Sequence, residues 1–120
     1  MYKNPQKTIK ESIEFVGVGL HNGKKVNLCI KPAEANSGIK FKRTDIDSSK
    51  NIIKASYKNV SSSALCTKIE NSQGISVSTI EHLMAAFYGE GIDNVVVEID
   101  APEIPIMDGS SFDFVTAIRS

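Results

Sequence analysis

The sequence predicts an α+β fold in a single domain, a β-sheet with two helices. Its 120 residues, 41% of them hydrophobic, suffice for one domain with a real core and not for two. Most apolar residues alternate with polar ones in short runs bounded by glycine, proline and small polar residues, the pattern of half-buried strands. Only the stretch after Ser78 and the stretch after Asp108-Gly109 carry helical spacing.

Thr8 to Val18, with Ile9, Ile13, Phe15 and Val16 to Val18, reads as a strand that bends near its end, and Gly17, Gly19 and Gly23 then turn the chain. Lys25 to Lys31 places Val26, Leu28 and Ile30 on one face, so the two segments make an N-terminal hairpin. Pro32 to Gly38 is a loop, and Ile39 to Arg43 is a third strand. Residues 45–63 are weakly patterned, with short candidate strands at Ile52-Ile53 and Tyr57 to Val60, and read as an insertion. Leu65 to Ile69 and Ile75 to Val77 flank a turn-rich segment and form a hairpin. A helix follows, stopped by Gly89 and Gly91. The run Val95, Val96, Val97 and Ile99 then fits a central strand. The prolines of Ala101 to Met107 exclude helix there, and Ser110 or Ser111 caps a last helix through Arg119, with Phe112, Val115 and Ile118 as its buried stripe.

Fourteen basic and fourteen acidic side chains cancel, so no net field draws the chain to nucleic acid or anionic lipid. The local basic runs Lys24-Lys25 and Lys40 to Arg43 read as solvated strand faces. No apolar segment has the form of a signal peptide or the length of a membrane span. Cys29 and Cys66 lack metal-pair spacing and a disulfide-rich context, so the expected setting is the reducing cytosol.

Chemistry concentrates at Glu81 and His82, adjacent in the first turn of the predicted helix. A neutral imidazole can ligate a transition metal, and a neighbouring carboxylate can take a proton from water. The positive end of the helix dipole disfavours imidazolium and so favours a ligating nitrogen. The capping box Ser78-x-x-Glu81 accounts for the glutamate without any chemistry, and His82 also has a plain structural reading. Ile80, Leu83, Met84 and Phe87 form the stripe that lies on the sheet, whereas His82, Ala85, Ala86 and Gly89 form a second face of small residues. A helix with two such faces expects a second cover from another domain or subunit. Catalytic zinc usually takes three protein ligands, and His21 is the one other histidine, so the pair alone is an incomplete site.

Three segments in order, VGVGLHNGKKV at 16–26, STIEHLMAAFYGEGIDN at 78–94 and APEIPIMDGSS at 101–111, with ALCT at 64–67 between them, closely resemble the UDP-3-O-acyl-N-acetylglucosamine deacetylases. These are zinc hydrolases of lipid A biosynthesis, and the resemblance covers essentially the whole chain. It implies a cytoplasmic enzyme of two related domains packed through their helices. Each domain is a mixed, mainly antiparallel sheet with two α-helices on one face, of the ribosomal protein S5 domain 2-like type, here with a small inserted β element. It also implies that His82 is a zinc ligand and that Glu81 is the general base that activates water against the acetamide of UDP-3-O-acyl-N-acetylglucosamine. The family's further zinc ligands, a lysine near the oxyanion and the acid for the leaving amine belong to a second domain whose motifs are not among these residues. Residues 1–120 are therefore expected to be the N-terminal domain, with the C-terminal catalytic half absent and the chain inactive alone.

By the same resemblance His21, in the Gly-Leu-His turn, and Leu65 and Cys66 line the substrate, although a turn histidine and a small buried thiol are equally ordinary roles. Asp108 either orients a ligand from behind or serves as the turn and cap residue before the last helix. Glu103, between prolines, reads as structural. The competing readings are a noncatalytic protein-interaction domain, and a nucleic-acid module, which the neutral charge disfavours. Apolar helix faces left uncovered also leave room for self-association.

Overall fold

A computed structural model describes residues 5–19, 23–62, 67–105 and 112–119. The expected α+β architecture is present, with a five-stranded mixed sheet, a three-stranded antiparallel sheet and two helices. In the larger sheet β1 (Ile13–Val18), β2 (Lys25–Pro32), β8 (Val95–Ile99), β3 (Ile39–Arg43) and β4 (Ile52–Lys54) lie in that order. Among the described residues of this sheet only β3 and β8 pair in parallel. The smaller sheet joins β5 (Val60–Ser62), β6 (Thr67–Glu70) and β7 (Ser76–Ser78). The expected insertion thus contributes to both sheets, β4 to the larger and β5 to the smaller.

Period-two alternation decides which face is buried. The register aligns Ile13, Ile30, Val97, Phe41 and Ile53 in one row across all five strands of the larger sheet. The next row holds Phe15, Leu28, Ile99 and Arg43. These rows face the helices α1 (Glu81–Gly89) and α2 (Phe112–Arg119). Leu83, Ala86 and Phe87 of α1 are fully buried, and Phe114 of α2 meets Phe15 edge to face with ring centroids 5.0 Å apart. The C-terminal ends of the helices are tied by Arg119, which donates to both carboxylate oxygens of Glu90 at 2.8 and 3.1 Å. On the opposite face Lys31 pairs with Glu98 at 3.1 Å, and burial beside that pair pushes the Cys29 thiol above its ordinary pKa, away from thiolate reactivity.

Three expectations are corrected. The first strand begins at Ile13 and not at Thr8. Upstream, the Lys7 carbonyl accepts the Asp93 and Asn94 amides at 2.9 and 3.1 Å, which commits that backbone to the loop before β8 instead of a ladder. Tyr57–Asn59 form a 3-10 turn, and strand structure resumes at Val60. Arg43 is not on a solvated face but 8% exposed, because its register position beside Ile99 points it to the core side. In α2 Val115 and Ile118 pack partly against the core as expected and Phe114 is buried with them, while the side chain of Phe112 lies outside the described residues. Among the described residues no helix is long and apolar enough to cross a membrane.

Candidate active site

Chain direction after β7 sets the site. Ser78, the last residue of β7, gives its amide to the Pro102 carbonyl at 2.8 Å and accepts the Ile104 amide at 3.0 Å. Thr79 then takes the left-handed conformation at φ 61°, and Ile80 is the N-cap of α1. Glu81 is therefore the first helical residue and His82 the second.

The capping box does not form. Ser78 still belongs to the strand, its hydroxyl donates to the Pro102 carbonyl at 3.2 Å, and the N-cap has no side-chain bond. Freed from capping, the Glu81 carboxylate accepts the Thr67 backbone amide at 3.4 Å. The Thr67 carbonyl in turn accepts the amides of Thr79 and Ile80 at 2.8 and 3.3 Å. One residue of β6 thus holds both the backbone before the helix and the first side chain on it.

Glu81 is half-buried and His82 is exposed. Successive helical positions point about 100 degrees apart, so carboxylate and imidazole can border one reacting centre without sharing a direction. Glu81 also lines a groove of about 280 Å³ between α1 and the smaller sheet, walled by Ile69, Ile80, Met84 and Tyr88. The second helix face is largely as expected, with His82, Ala85 and Gly89 open to solvent, but Ala86 is buried beneath it. Tyr88, 70% exposed, stands instead on the groove side with Glu81 and Met84.

His21, Leu65, Cys66 and Asp108 lie outside the described residues. Among those described, no three histidine, cysteine, aspartate or glutamate side chains come together as a metal-binding group. His82 supplies one imidazole, which fits a zinc ion as a partial donor set and no more. Thr67 was missed as a site residue because it acts through its backbone, which leaves no mark on sequence.

Fold and site together define an α+β domain that presents an acid and an imidazole side by side at a helix start. A family model described as LpxC: UDP-3-O-acyl N-acetylglycosamine deacetylase matches residues 6–120, and the chain belongs to that family. It is 52% identical over 115 residues to a UDP-3-O-acyl-N-acetylglucosamine deacetylase of Shewanella violacea, covering 96% of this chain and 37% of that protein. Proteins of the same name from Aliivibrio fischeri and Vibrio atlanticus are 49% and 51% identical, covering 96% and 95% of this chain and 37% of each relative. The chain therefore spans little more than a third of the length of these curated relatives.

Proposed function

We propose that this chain is the N-terminal domain of a zinc-dependent deacetylase that removes acetate from UDP-3-O-acyl-N-acetylglucosamine in lipid A biosynthesis. The observation that carries the reading is the site itself: within a chain of this family, Glu81 and His82 open α1, with the carboxylate steadied by Thr67 and the imidazole facing outward. Glu81 serves as the general base. It takes a proton from water as the water oxygen adds to the acetyl carbon. Breaking of the C–N bond then gives acetate and a free glucosamine amine. His82 serves as one zinc ligand, and zinc bound there would polarise the carbonyl and lower the pKa of water. The remaining ligands and the acid that protonates the amine come from the rest of the enzyme. A cytosolic setting goes with this reading, and the free thiol of Cys29 suits it.

The test compares the complete enzyme with its Glu81→Gln and His82→Ala forms, following acetate release and zinc content. Glu81→Gln should keep zinc and lose roughly 10²- to 10⁴-fold in kcat, the usual worth of a general base. His82→Ala should lose zinc as well as turnover. Wild-type rates in both variants would defeat the assignment.

A further inference from the structure

We propose that Thr79 and Glu103 are positioning residues for this site, in that the hydroxyl of Thr79, donated to the buried carboxylate of Glu103, fixes the direction in which α1 presents Glu81 and His82. The inference rests on the roles just proposed for that pair.

Thr79 has φ 61°, and a β-branched residue in the left-handed region is a genuine outlier. Glycine would take this conformation without steric cost. Threonine offers what glycine lacks, a hydroxyl, and that hydroxyl reaches Glu103 Oε2 at 3.2 Å. Glu103 is only 4% exposed, in the segment Pro102-Glu103-Ile104-Pro105, whose prolines restrict the backbone on either side. The same segment is bound to β7 through the amides of Ser78 and Ile104, and Ser78 and Glu103 form a parallel bridge. The acceptor is therefore built into the framework and does not sit on a free loop.

The consequence follows from distance along the chain. Ile80 alone separates Thr79 from Glu81, so a change in the Thr79 dihedrals swings the first turn of α1 and carries the carboxylate and the imidazole with it. Thr67 holds this turn from one side through its carbonyl, and Glu103 holds it from the other through the hydroxyl. An observed backbone outlier beside reacting groups, fixed from two directions, is the situation in which strain serves placement of the groups that follow.

In the complete enzyme, Thr79→Val keeps shape and branching but removes the hydroxyl, Thr79→Ser keeps the hydroxyl, and Thr79→Gly keeps the backbone conformation without strain or hydroxyl. Thr79→Val and Thr79→Gly should each lose roughly 10- to 100-fold in kcat, the scale of a small misplacement of reacting groups. KM should stay within about twofold, as expected when only transition-state geometry is lost. Thr79→Ser should recover most of the rate. Wild-type kcat in either Thr79→Val or Thr79→Gly overturns the proposal, as does a loss that Thr79→Ser shares in full. Those results would leave Glu81 and His82 in their roles, whereas wild-type turnover by Glu81→Gln would remove the roles themselves.

Discussion

Arg43 ends β3 in the row that otherwise holds Phe15, Leu28 and Ile99, so its guanidinium has to be satisfied inside the protein. Asp45 accepts two of its N–H groups at 2.8 and 2.7 Å, and the Ser76 carbonyl takes a third at 2.9 Å. These bonds favour the ionised carboxylate and hold the Asp45 carboxyl below the ordinary aspartate range. Because the folded pKa is the depressed one, the stability it contributes is fully present above the ordinary aspartate pKa of about 3.9, and is lost as pH falls through the folded value. Asp45→Asn should therefore be less stable than wild type at neutral pH, and the gap should close on acidification below about pH 4. Urea unfolding of both proteins between pH 7 and pH 2.5 checks this. A gap that widens on acidification would show that Asp45 is not held by the arginine.

The smaller sheet depends on a comparable anchor, in its β6–β7 hairpin. Asn71 Nδ2 donates to the Lys50 and Ile52 carbonyls at 2.9 Å each, while its Oδ1 accepts the Gln73 and Ile75 amides at 3.0 Å each. The amide thus shapes the turn and fastens it to the chain entering β4. Asn71→Ala should cost about 1–3 kcal/mol of unfolding free energy, since several solvent-accessible bonds are lost together. Faster hydrogen exchange at Gln73 and Ile75 would localise the effect, and unchanged exchange would exclude it. Nothing in the composition of 70–75 beyond a turn signal foretold the anchoring. Where one face is continuously buried the sequence was readable, as in β2, β3, β8 and the Ile80, Leu83, Met84, Phe87 stripe of α1. It failed where long-range bonds outweigh local preference. Ser78 fits a capping box by spacing, but its backbone and hydroxyl are already committed to the 102–104 segment. Thr79 is a strand former by type and adopts a left-handed turn. The place of Glu81 and His82 at the start of a helix was legible from the sequence, whereas the Thr67 amide on Glu81 and the Thr79 bond to Glu103 run through a backbone group or join residues 24 apart.

At the scale of the whole molecule, one buried core carries the Glu81 and His82 pair at the start of α1. Rows of buried side chains cross the larger sheet and meet both helices, so the described residues share one continuous hydrophobic interior. Among the described residues His82 stands exposed at the start of α1, and no three potential metal ligands come together. Relatives of the family are nearly three times as long as the aligned segment, which covers 37% of each. A domain of this kind should behave in two separable ways. On the proposed function, the 120-residue chain should unfold in one cooperative transition, yet bind zinc more weakly than the complete enzyme, because one imidazole replaces a full ligand set. It should release no acetate from UDP-3-O-acyl-N-acetylglucosamine, since neither the remaining ligands nor the acid for the leaving amine would be supplied. Equilibrium dialysis against zinc and an acetate-release assay on the purified, zinc-loaded chain test both halves of the expectation. Turnover by the chain alone would mean that these residues assemble a working site themselves, and would require the ligand set to be sought within residues 1–120.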